Sequence, residues 1–294
     1  PDGGWIFHFV NVVDDIEMKI THVIRGEDHL SNTPKHIELY QALGVEPPRF
    51  AHIPLILNRD GSKMSKRDQG ASIQGYMEQG YVPEAVRNYL CLLGWSPKDN
   101  REILPIEEII ELFDLPKINR RNASFDLEKC FWINGQYIPK ISLDRFTEIA
   151  LPFIEKAGIR YGSLEELKPR LAIVQEKIKV IPDVPKWIDY FFTDEVSYDP
   201  ESVEKTIRKP GAPDRLRMLA DKYEALSEWT VESLEATLKA AASEAGVKTA
   251  EFIHPTRVAV SGRSVGPSLY HMLELLGKER VVGRMRQAAE KFAA

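Results

Sequence analysis

The segment GSKMSKRDQG, residues 61–70, places Lys63, Lys66 and Arg67 close together on a predicted turn that is bounded by glycines. Clustered cations repel one another, so this grouping does not stabilise a fold by itself. One interpretation is a solvent-exposed surface loop. The other is a mobile cradle for a polyanion such as a triphosphate, and the rest of the chain has to decide between them.

The segments around these cations predict an α/β arrangement. WIFHFVNVV (5–13), KITHVIRG (19–26) and AHIPLILN (51–58) are rich in aromatic and β-branched residues, which is typical of buried strands. SNTPKHIELYQALG (31–44) predicts a helix, because it has cap candidates and a proline at its start and a glycine at its end. Ligands of open α/β sheets bind at the carboxyl ends of strands, and Arg25 lies at one such end.

From residue 73 onward the pattern becomes helical. YVPEAVRNYLCLLGW (81–95) and PIEEIIELFDL (105–115) predict helices, and FDLEKCFWINGQYI (125–138) predicts a helix that turns at Asn134–Gly135. Helical periodicity then continues to the end of the sequence. The expected fold class is therefore α/β followed by all-α. The expected domains are residues 1–73, 74–140 and 141–294, with a sub-boundary near residue 205.

Composition describes an ordinary soluble protein. The 294 residues are 43% hydrophobic and 28% charged, with a net charge of −5, so the overall charge argues mildly against nucleic-acid binding. No apolar run is long enough to span a bilayer. Cys91 and Cys130 lie in apolar surroundings and predict buried thiols rather than a disulfide, which favours a reducing, cytoplasmic compartment.

KMSKR (63–67) resembles the second signature loop of class I aminoacyl-tRNA synthetases. Several blocks in the same order resemble bacterial-type glutamyl-tRNA synthetases, a family of that class. These blocks are FHFVNVVDD (7–15), THVIRGEDHLSNTPKH (21–36), FAHIPLILNRDGSKMSKRD (50–68), PEAVRNYLCLLGW (83–95), FDLEKCFWINGQYI (125–138) and the segment 254–284. The family's first signature, a His–Ile–Gly–His-like element, has no counterpart here. The resemblance therefore implies the C-terminal two-thirds of such an enzyme, without half of the catalytic site.

The resemblance implies the C-terminal half of a Rossmann-like catalytic domain, a stem-contact region and a helical anticodon-binding domain. Amino-acid activation transfers AMP to a carboxylate while pyrophosphate leaves, so the catalytic loop needs cations that neutralise the leaving phosphates. Lys63 and Lys66 are the implied catalytic residues. The implied ATP-binding residues are Asp28, Ile56, Lys63, Met64, Ser65, Lys66 and Arg67.

The implied glutamate-binding residues are Phe7, Asn11 and Arg25. The guanidinium of Arg25 matches the position that pairs with the substrate γ-carboxylate, and an internal ion pair with a carboxylate of 14–15 or 27–28 is the alternative. Asn11 matches an amide that contacts the amino acid, with a satisfied buried amide as its alternative. Phe7 stands where the family usually has tyrosine, so a hydrogen bond worth about 0.5–1.5 kcal/mol is lost there.

The implied partners are L-glutamate, ATP with Mg²⁺ held mostly by its phosphates, and tRNA(Glu). Charging of tRNA(Gln) is left open, a monomer without membrane contact is expected, and the histidine spacing fits no zinc site. Basic residues in the helical half are candidates for tRNA contact, with Trp187 and Tyr190 as stacking candidates. These basic residues are Arg120, Arg121, Lys168, Arg170, Lys177, Lys179, Arg257, Arg263 and those of 278–286.

Two other functions are compatible with parts of the sequence. A tRNA-binding module without catalysis needs only the helical half. Another ATP-dependent nucleotidyltransferase could use a similar cationic loop, but a small-molecule enzyme has no use for the long helical half. Glutaminyl-tRNA synthetases carry β-barrels downstream, and the helical pattern after residue 140 does not favour barrels.

Overall fold

The computed structural model describes residues 4, 6–65, 68 and 70–293. The chain divides into two units, Pro1–Asn134 and Gly135–Ala294. Within the described ranges, no helix is both long enough and apolar enough to cross a membrane. The finer three-part division of the sequence stays a prediction.

The first unit combines helices with parallel strand pairs. Its helices are α1 (Phe7–Glu17), α2 (Thr33–Ala42), α3 (Ile73–Glu78), α4 (Pro83–Cys91), α5 (Ile106–Leu112) and α6 (Leu127–Tyr137), which continues past the division. Its strands are β1 (His22–Gly26), β2 (Arg49–Ile53), β3 (Ile56–Leu57) and β4 (Ala123–Ser124). β1 runs parallel to β2 with Gly26 opposite Ile53, and β3 runs parallel to β4 with Ile56 opposite Ala123.

The strand prediction for residues 5–13 is wrong, because α1 occupies most of this segment. Two contacts with α2 show the reason. His8 Nδ1 lies 3.0 Å from His36 Nε2, and the Tyr40 hydroxyl donates to Asp15 at 3.3 Å. Positions 8 and 15 are seven residues apart, so they share one face of a helix and meet two residues of α2 that are one turn apart. This helix–helix packing outweighs the strand preference of the aromatic and β-branched side chains.

Two further boundaries differ from the prediction. The segment 51–58 forms two strands rather than one, because Pro54 has no N–H to donate and the N–H of Leu55 bonds to Asn122 Oδ1 at 3.1 Å. Asn134–Gly135 is not a turn but lies inside α6. Asn134 is buried, and its Oδ1 accepts the Val82 N–H at the start of α4 at 2.8 Å. Its polar side chain therefore caps a neighbouring helix instead of ending its own.

The described part of the second unit is helical. Its α-helices are α7 (Leu143–Lys156), α8 (Leu164–Gln175), α9 (Val184–Ile188), α10 (Pro200–Lys205), α11 (Ala212–Glu224), α12 (Val231–Glu244), α13 (Ala250–Ser261), α14 (Leu269–Leu276) and α15 (Lys278–Lys291). Ser142, Ser163 and Thr230 cap α7, α8 and α12 with their hydroxyl groups. The expected fold class, α/β followed by all-α, is confirmed.

Candidate functional site

A cavity of about 440 Å³ in the first unit collects several of the predicted ATP-binding residues. Gly26 and Ile53, the last residues of β1 and β2, lie on its wall, so the cavity is at the carboxyl ends of these two parallel strands. Ile56, Lys63, Met64 and Ser65 also line it. Its size suits a small-molecule ligand.

Hydrogen bonds hold the backbone of residues 63–65 at the wall of this cavity; we call residues 61–70 the lysine segment. The Met64 N–H donates to the Ile56 carbonyl at 3.0 Å, and Lys63 pairs with Leu57 in an antiparallel bridge. Asp68 Oδ2 accepts the Ser65 N–H at 2.7 Å and an Asn58 amide N–H at 3.0 Å. These bonds lower the pKa of Asp68, so its charge braces the turn at neutral pH. Lys66 and Arg67 lie outside the described residues.

Asp28 and Lys63 form an ion pair, with Nζ 2.7 Å from Oδ2. Both side chains are exposed, and the lysine lowers the pKa of Asp28 through its hydrogen bond and its charge. The pair therefore persists at neutral pH and is lost only as pH falls through the lowered pKa of Asp28, below about 3.8. The structure thus joins two of the predicted ATP-binding residues directly. To bind a phosphate, the Lys63 ammonium group must either break its ion pair with Asp28 or contact the phosphate and Asp28 together.

Replacing Asp28 by Asn is expected to tighten pyrophosphate binding by about two- to fivefold, because Lys63 then has no competing carboxylate. ATP binding should gain less than pyrophosphate binding if Asp28 also contacts the ribose. Titration calorimetry of both ligands at low ionic strength measures the difference. Asp60→Asn is the matched control, since Asp60 binds the Ser62 N–H and hydroxyl and pairs with no cation among the residues that the structure describes. Weaker pyrophosphate binding in Asp28→Asn would contradict the competition.

Arg25 has the surroundings of an anion-binding residue. Its Nη2 donates to the Thr33 hydroxyl at 2.9 Å, and its guanidinium lies 5.6 Å from the centre of the Phe50 ring. Its Nε is buried and has no hydrogen-bond partner among the residues that the structure describes. Within the same residues Arg25 has no salt bridge, so the internal ion pair considered above is not formed. A half-buried cation with spare donors is well suited to bind a carboxylate.

His36 and His52 lie near Arg25 and add no positive charge at neutral pH. His52 Nε2 lies 2.8 Å from the Thr33 hydroxyl, and the buried His36 contacts His8. Burial lowers the pKa of both His36 and His52, and the positive charge of Arg25 lowers it further. Both imidazoles are therefore neutral at pH 7, and Arg25 is the charge that an incoming anion meets.

These lowered pKa values predict a pH-dependent stability. The unfolded chain binds protons at His36 and His52 more readily than the folded chain, so the free energy of unfolding should fall as pH drops below about 6.5. Each proton that the unfolded chain binds in excess of the folded chain changes the free energy of unfolding by at most about 1.4 kcal/mol per pH unit. Urea denaturation between about pH 5.5 and 7.5 measures the slope, which should decrease in His36→Gln but not in the exposed His22→Gln. An unchanged slope in His36→Gln would contradict the assignment.

Phe7 and Asn11 lie on α1. The Phe7 side chain is 56% exposed and makes an edge contact with His8, with 5.4 Å between ring centres. It also lies 6.3 Å from His36. Asn11 is half-buried one turn further along α1, and no hydrogen bond of its amide is seen within the described ranges. It is thus not the satisfied buried amide that was the alternative, and both roles in glutamate binding stay predictions.

Sequence reasoning missed the residues that hold the site together. Thr33 and His52 fix the guanidinium of Arg25, and Asp68 with Asn58 fixes the lysine segment. One signal was available, because a turn sequence followed by an aspartate predicts side-chain bonds to backbone N–H groups. Thr33 and His52 had no such signal, since their contacts depend on the parallel pairing of β1 and β2. Of the described residues, no group of three or more His, Cys, Asp or Glu is placed to hold a metal ion.

The second unit contains a separate cavity of about 460 Å³. Lys186, Trp187, Ser264 and Arg263 line it, and Arg263 is ion-paired with Asp189 at 2.5 Å. Trp187 is half-buried at this cavity, which suits a stacking role. Stacking by Tyr190 is not supported, because its side chain is only 5% exposed.

Three of the basic residues proposed for tRNA contact have structural roles instead. The guanidinium of Arg170 lies 5.5 Å from the ring centre of Phe191. Arg257 donates to the Pro267 carbonyl at 2.6 Å, and the buried Arg284 donates to backbone carbonyls, including that of Val260 at 2.8 Å. Burial lowers the pKa of all three guanidinium groups, but they stay charged, and each donates to at least one backbone carbonyl. They therefore hold the helices together.

Comparison with known proteins matches a known domain family to part of each unit. Residues 3–132 match the family model for the catalytic domain of class I tRNA synthetases (E and Q), and residues 145–289 match that of an anticodon binding domain. The chain is 50% identical to the glutamate–tRNA ligase of Methylacidiphilum infernorum over 97% of its length and 64% of the relative's, and 50% identical to that of Akkermansia muciniphila over the same shares.

A solved structure gives the same result. The crystal structure of a glutamate tRNA ligase from Elizabethkingia meningosepticum, in complex with its amino acid, superposes with a TM-score of 0.88 at 31% identity. The match covers 99% of this chain and 61% of the other. The chain thus spans less than two-thirds of the length of these relatives. The two domain matches and the relatives together show that the chain belongs to the glutamyl-tRNA synthetase family of class I aminoacyl-tRNA synthetases.

Proposed function

We propose that this chain carries the second part of the active site and the tRNA-binding domain of a glutamate–tRNA ligase. The observation that supports this most directly is Arg25. It is a half-buried cation held by Thr33, with neutral imidazoles around it, and the next residue, Gly26, lies on the wall of the cavity that Lys63 lines. A carboxylate bound at Arg25 would thus lie near a nucleotide in that cavity.

The proposed reaction has two steps. Glutamate and ATP form glutamyl-adenylate with release of pyrophosphate, and the 3′ end of tRNA(Glu) then accepts the glutamyl group. Lys63, Lys66 and Arg67 neutralise the charge that develops on the leaving pyrophosphate. Mg²⁺ accompanies ATP and is held mostly by the phosphates. Ile56 and the backbone of Met64 and Ser65 border the space assigned to ATP.

The second unit is proposed to bind the anticodon region of tRNA(Glu). Lys186 is exposed and Trp187 is half-buried at the same cavity, which provides a cation for a phosphate and a ring for an unstacked base. Arg263 can contact a phosphate or a base of the tRNA only if its ion pair with Asp189 is broken. Recognition of tRNA(Gln), a monomeric state and a cytoplasmic location are further predictions.

A binding titration of the 294-residue chain with tRNA(Glu), tRNA(Gln) and an unrelated tRNA, at two salt concentrations, tests this proposal. We expect tRNA(Glu) to bind more tightly than the unrelated tRNA, with an affinity that falls as salt rises. Trp187→Ala should weaken tRNA(Glu) binding by about 1–3 kcal/mol, as expected for a stacked base. Trp229→Ala is the control, since Trp229 is a half-buried tryptophan of the same unit that does not line this cavity. Equal binding of all three tRNAs would contradict anticodon recognition by this unit.

A further inference from the structure

The hydroxyl of Thr33, the first residue of α2, lies between Arg25 of β1 and His52 of β2. Its oxygen accepts a hydrogen bond from Arg25 Nη2 at 2.9 Å and lies 2.8 Å from His52 Nε2. Arg25 and His52 are directly opposite each other in the parallel pairing of β1 with β2, which places both side chains beside the start of α2. Thr33 is only 8% exposed, so protein groups rather than bulk water orient its hydroxyl.

The hydroxyl has one proton, and its neighbours decide where that proton goes. A guanidinium only donates, so the proton cannot be shared with Arg25. The carbonyl of His29 is 3.5 Å away, which is longer than an ordinary O–H···O hydrogen bond. His52 Nε2, at 2.8 Å, is the closer acceptor. The geometry therefore favours donation from Thr33 to His52, which requires a lone pair on Nε2 and the ring proton on Nδ1.

His52 can accept this proton only while its imidazole is neutral. Burial lowers the pKa of His52, and the charges of Arg25 on β1 and of His29 in the turn 27–32 lower it further. A protonated His52 would direct an N–H at the Thr33 oxygen and leave the hydroxyl proton facing the distant carbonyl. At pH 7 the hydrogen bonds therefore run in one direction, from Arg25 to Thr33 to His52, and bonds in such a chain strengthen one another.

We propose that His52 is a positioning residue for the carboxylate contact of Arg25, and that it acts through the Thr33 hydroxyl as the neutral Nδ1–H tautomer. By accepting the hydroxyl proton, His52 turns a lone pair of Thr33 toward Arg25 Nη2. This bond and the Phe50 ring, whose centre is 5.6 Å from the guanidinium carbon, fix the plane of the guanidinium. A fixed plane matters because the planar fork matches a carboxylate in a defined orientation, and less freedom is then lost on binding. The inference rests on the proposed binding of glutamate at Arg25.

The tautomer of His52 is measured in the ¹⁵N-labelled chain at pH 7 by the long-range ¹H–¹⁵N correlations of its ring. The chain contains seven histidines, and the signals that disappear in His52→Gln identify those of His52. We expect a protonated Nδ1 and an unprotonated Nε2. A proton on Nε2 would overturn the proposal, whether or not the chain binds glutamate.

Two amide variants of His52 test the positioning role. The amide oxygen of a glutamine extends about as far from the backbone as Nε2 does, whereas that of an asparagine is one methylene shorter. His52→Gln should therefore keep the affinity for glutamate within about twofold, and His52→Asn should weaken it by about three- to tenfold. Titration calorimetry at pH 7 measures both. Equal affinities of the two variants would show that an acceptor at the Nε2 position is not needed, and the proposal would be wrong.

A double-mutant cycle tests whether His52 acts through Thr33. In the Thr33→Val background, His52→Asn should change glutamate affinity by less than about twofold, because the hydroxyl that links the two side chains is gone. A full loss in that background would overturn the proposed route.

Arg25→Gln separates this inference from the proposed function. Unchanged glutamate binding in Arg25→Gln would remove the carboxylate contact itself. A loss in Arg25→Gln without a difference between His52→Gln and His52→Asn would leave that contact in place and remove only the role of His52.

Discussion

Arg25→Gln should weaken glutamate binding by roughly 30- to 150-fold, which corresponds to about 2–3 kcal/mol. The glutamine keeps a hydrogen-bond donor but removes the charge that pairs with a carboxylate. Neither His36 nor His52 replaces that charge, because burial lowers the pKa of both imidazoles and they are neutral at pH 7. Titration calorimetry of the wild-type and variant chains with glutamate measures the loss.

Two graded variants separate charge from position. Arg25→Lys retains the charge but not the planar fork, so we expect an intermediate loss. Thr33→Val retains Arg25 and removes the hydroxyl that accepts its Nη2 at 2.9 Å, so the loss should be smaller than in Arg25→Gln. Arg49→Gln is the control, since Arg49 is an exposed arginine on the adjacent strand β2. Unchanged glutamate binding in Arg25→Gln would contradict the assignment of Arg25, whatever the tRNA titration shows.

The sequence predicted the chemical groups better than their surroundings. Lys63 was found because cations between turn residues are a local pattern, and Met64 and Ser65 were implied by the family resemblance of KMSKR. The structure places all three at one cavity. The ion pair of Lys63 with Asp28 joins residues that are 35 positions apart. No local pattern encodes such a distance, because it depends on how the segments after β1 and β3 are brought together by strand pairing.

The segment 5–13 shows why local propensity misled the fold prediction. Phe7, Phe9, Val10 and Val12 individually favour strands, yet the segment is helical because α2 provides a partner for one helical face. The polar residues held the better signal, since His8 and Asp15 recur at a helical interval of seven. A helical spacing of about 3.6 residues between the side chains that form contacts indicates secondary structure more strongly than the strand or helix preference of each residue.

Gly70→Ala is expected to destabilise the first unit by roughly 2–4 kcal/mol, a large part of the stability of an ordinary domain. Gly70 has φ +87°, and a Cβ there would lie 2.3 Å from Cζ of Phe125. The ring cannot yield easily, because Phe125 is buried, makes an edge contact with Tyr89 at 5.4 Å, and donates its N–H to the Leu57 carbonyl. The strain of the left-handed backbone adds to the clash.

Gly61→Ala provides the matched comparison at the other end of the lysine segment. Gly61 has φ +83°, but a Cβ there would meet nothing within 4 Å, so only the backbone strain of about 1 kcal/mol is expected. Urea denaturation of both variants separates clash from strain. Phe125→Leu should restore part of the loss in Gly70→Ala and none in Gly61→Ala, since only Gly70 contacts that ring. If both glycine variants cost the same, the close approach to Phe125 is wrong, and Gly70 is needed only for its backbone conformation.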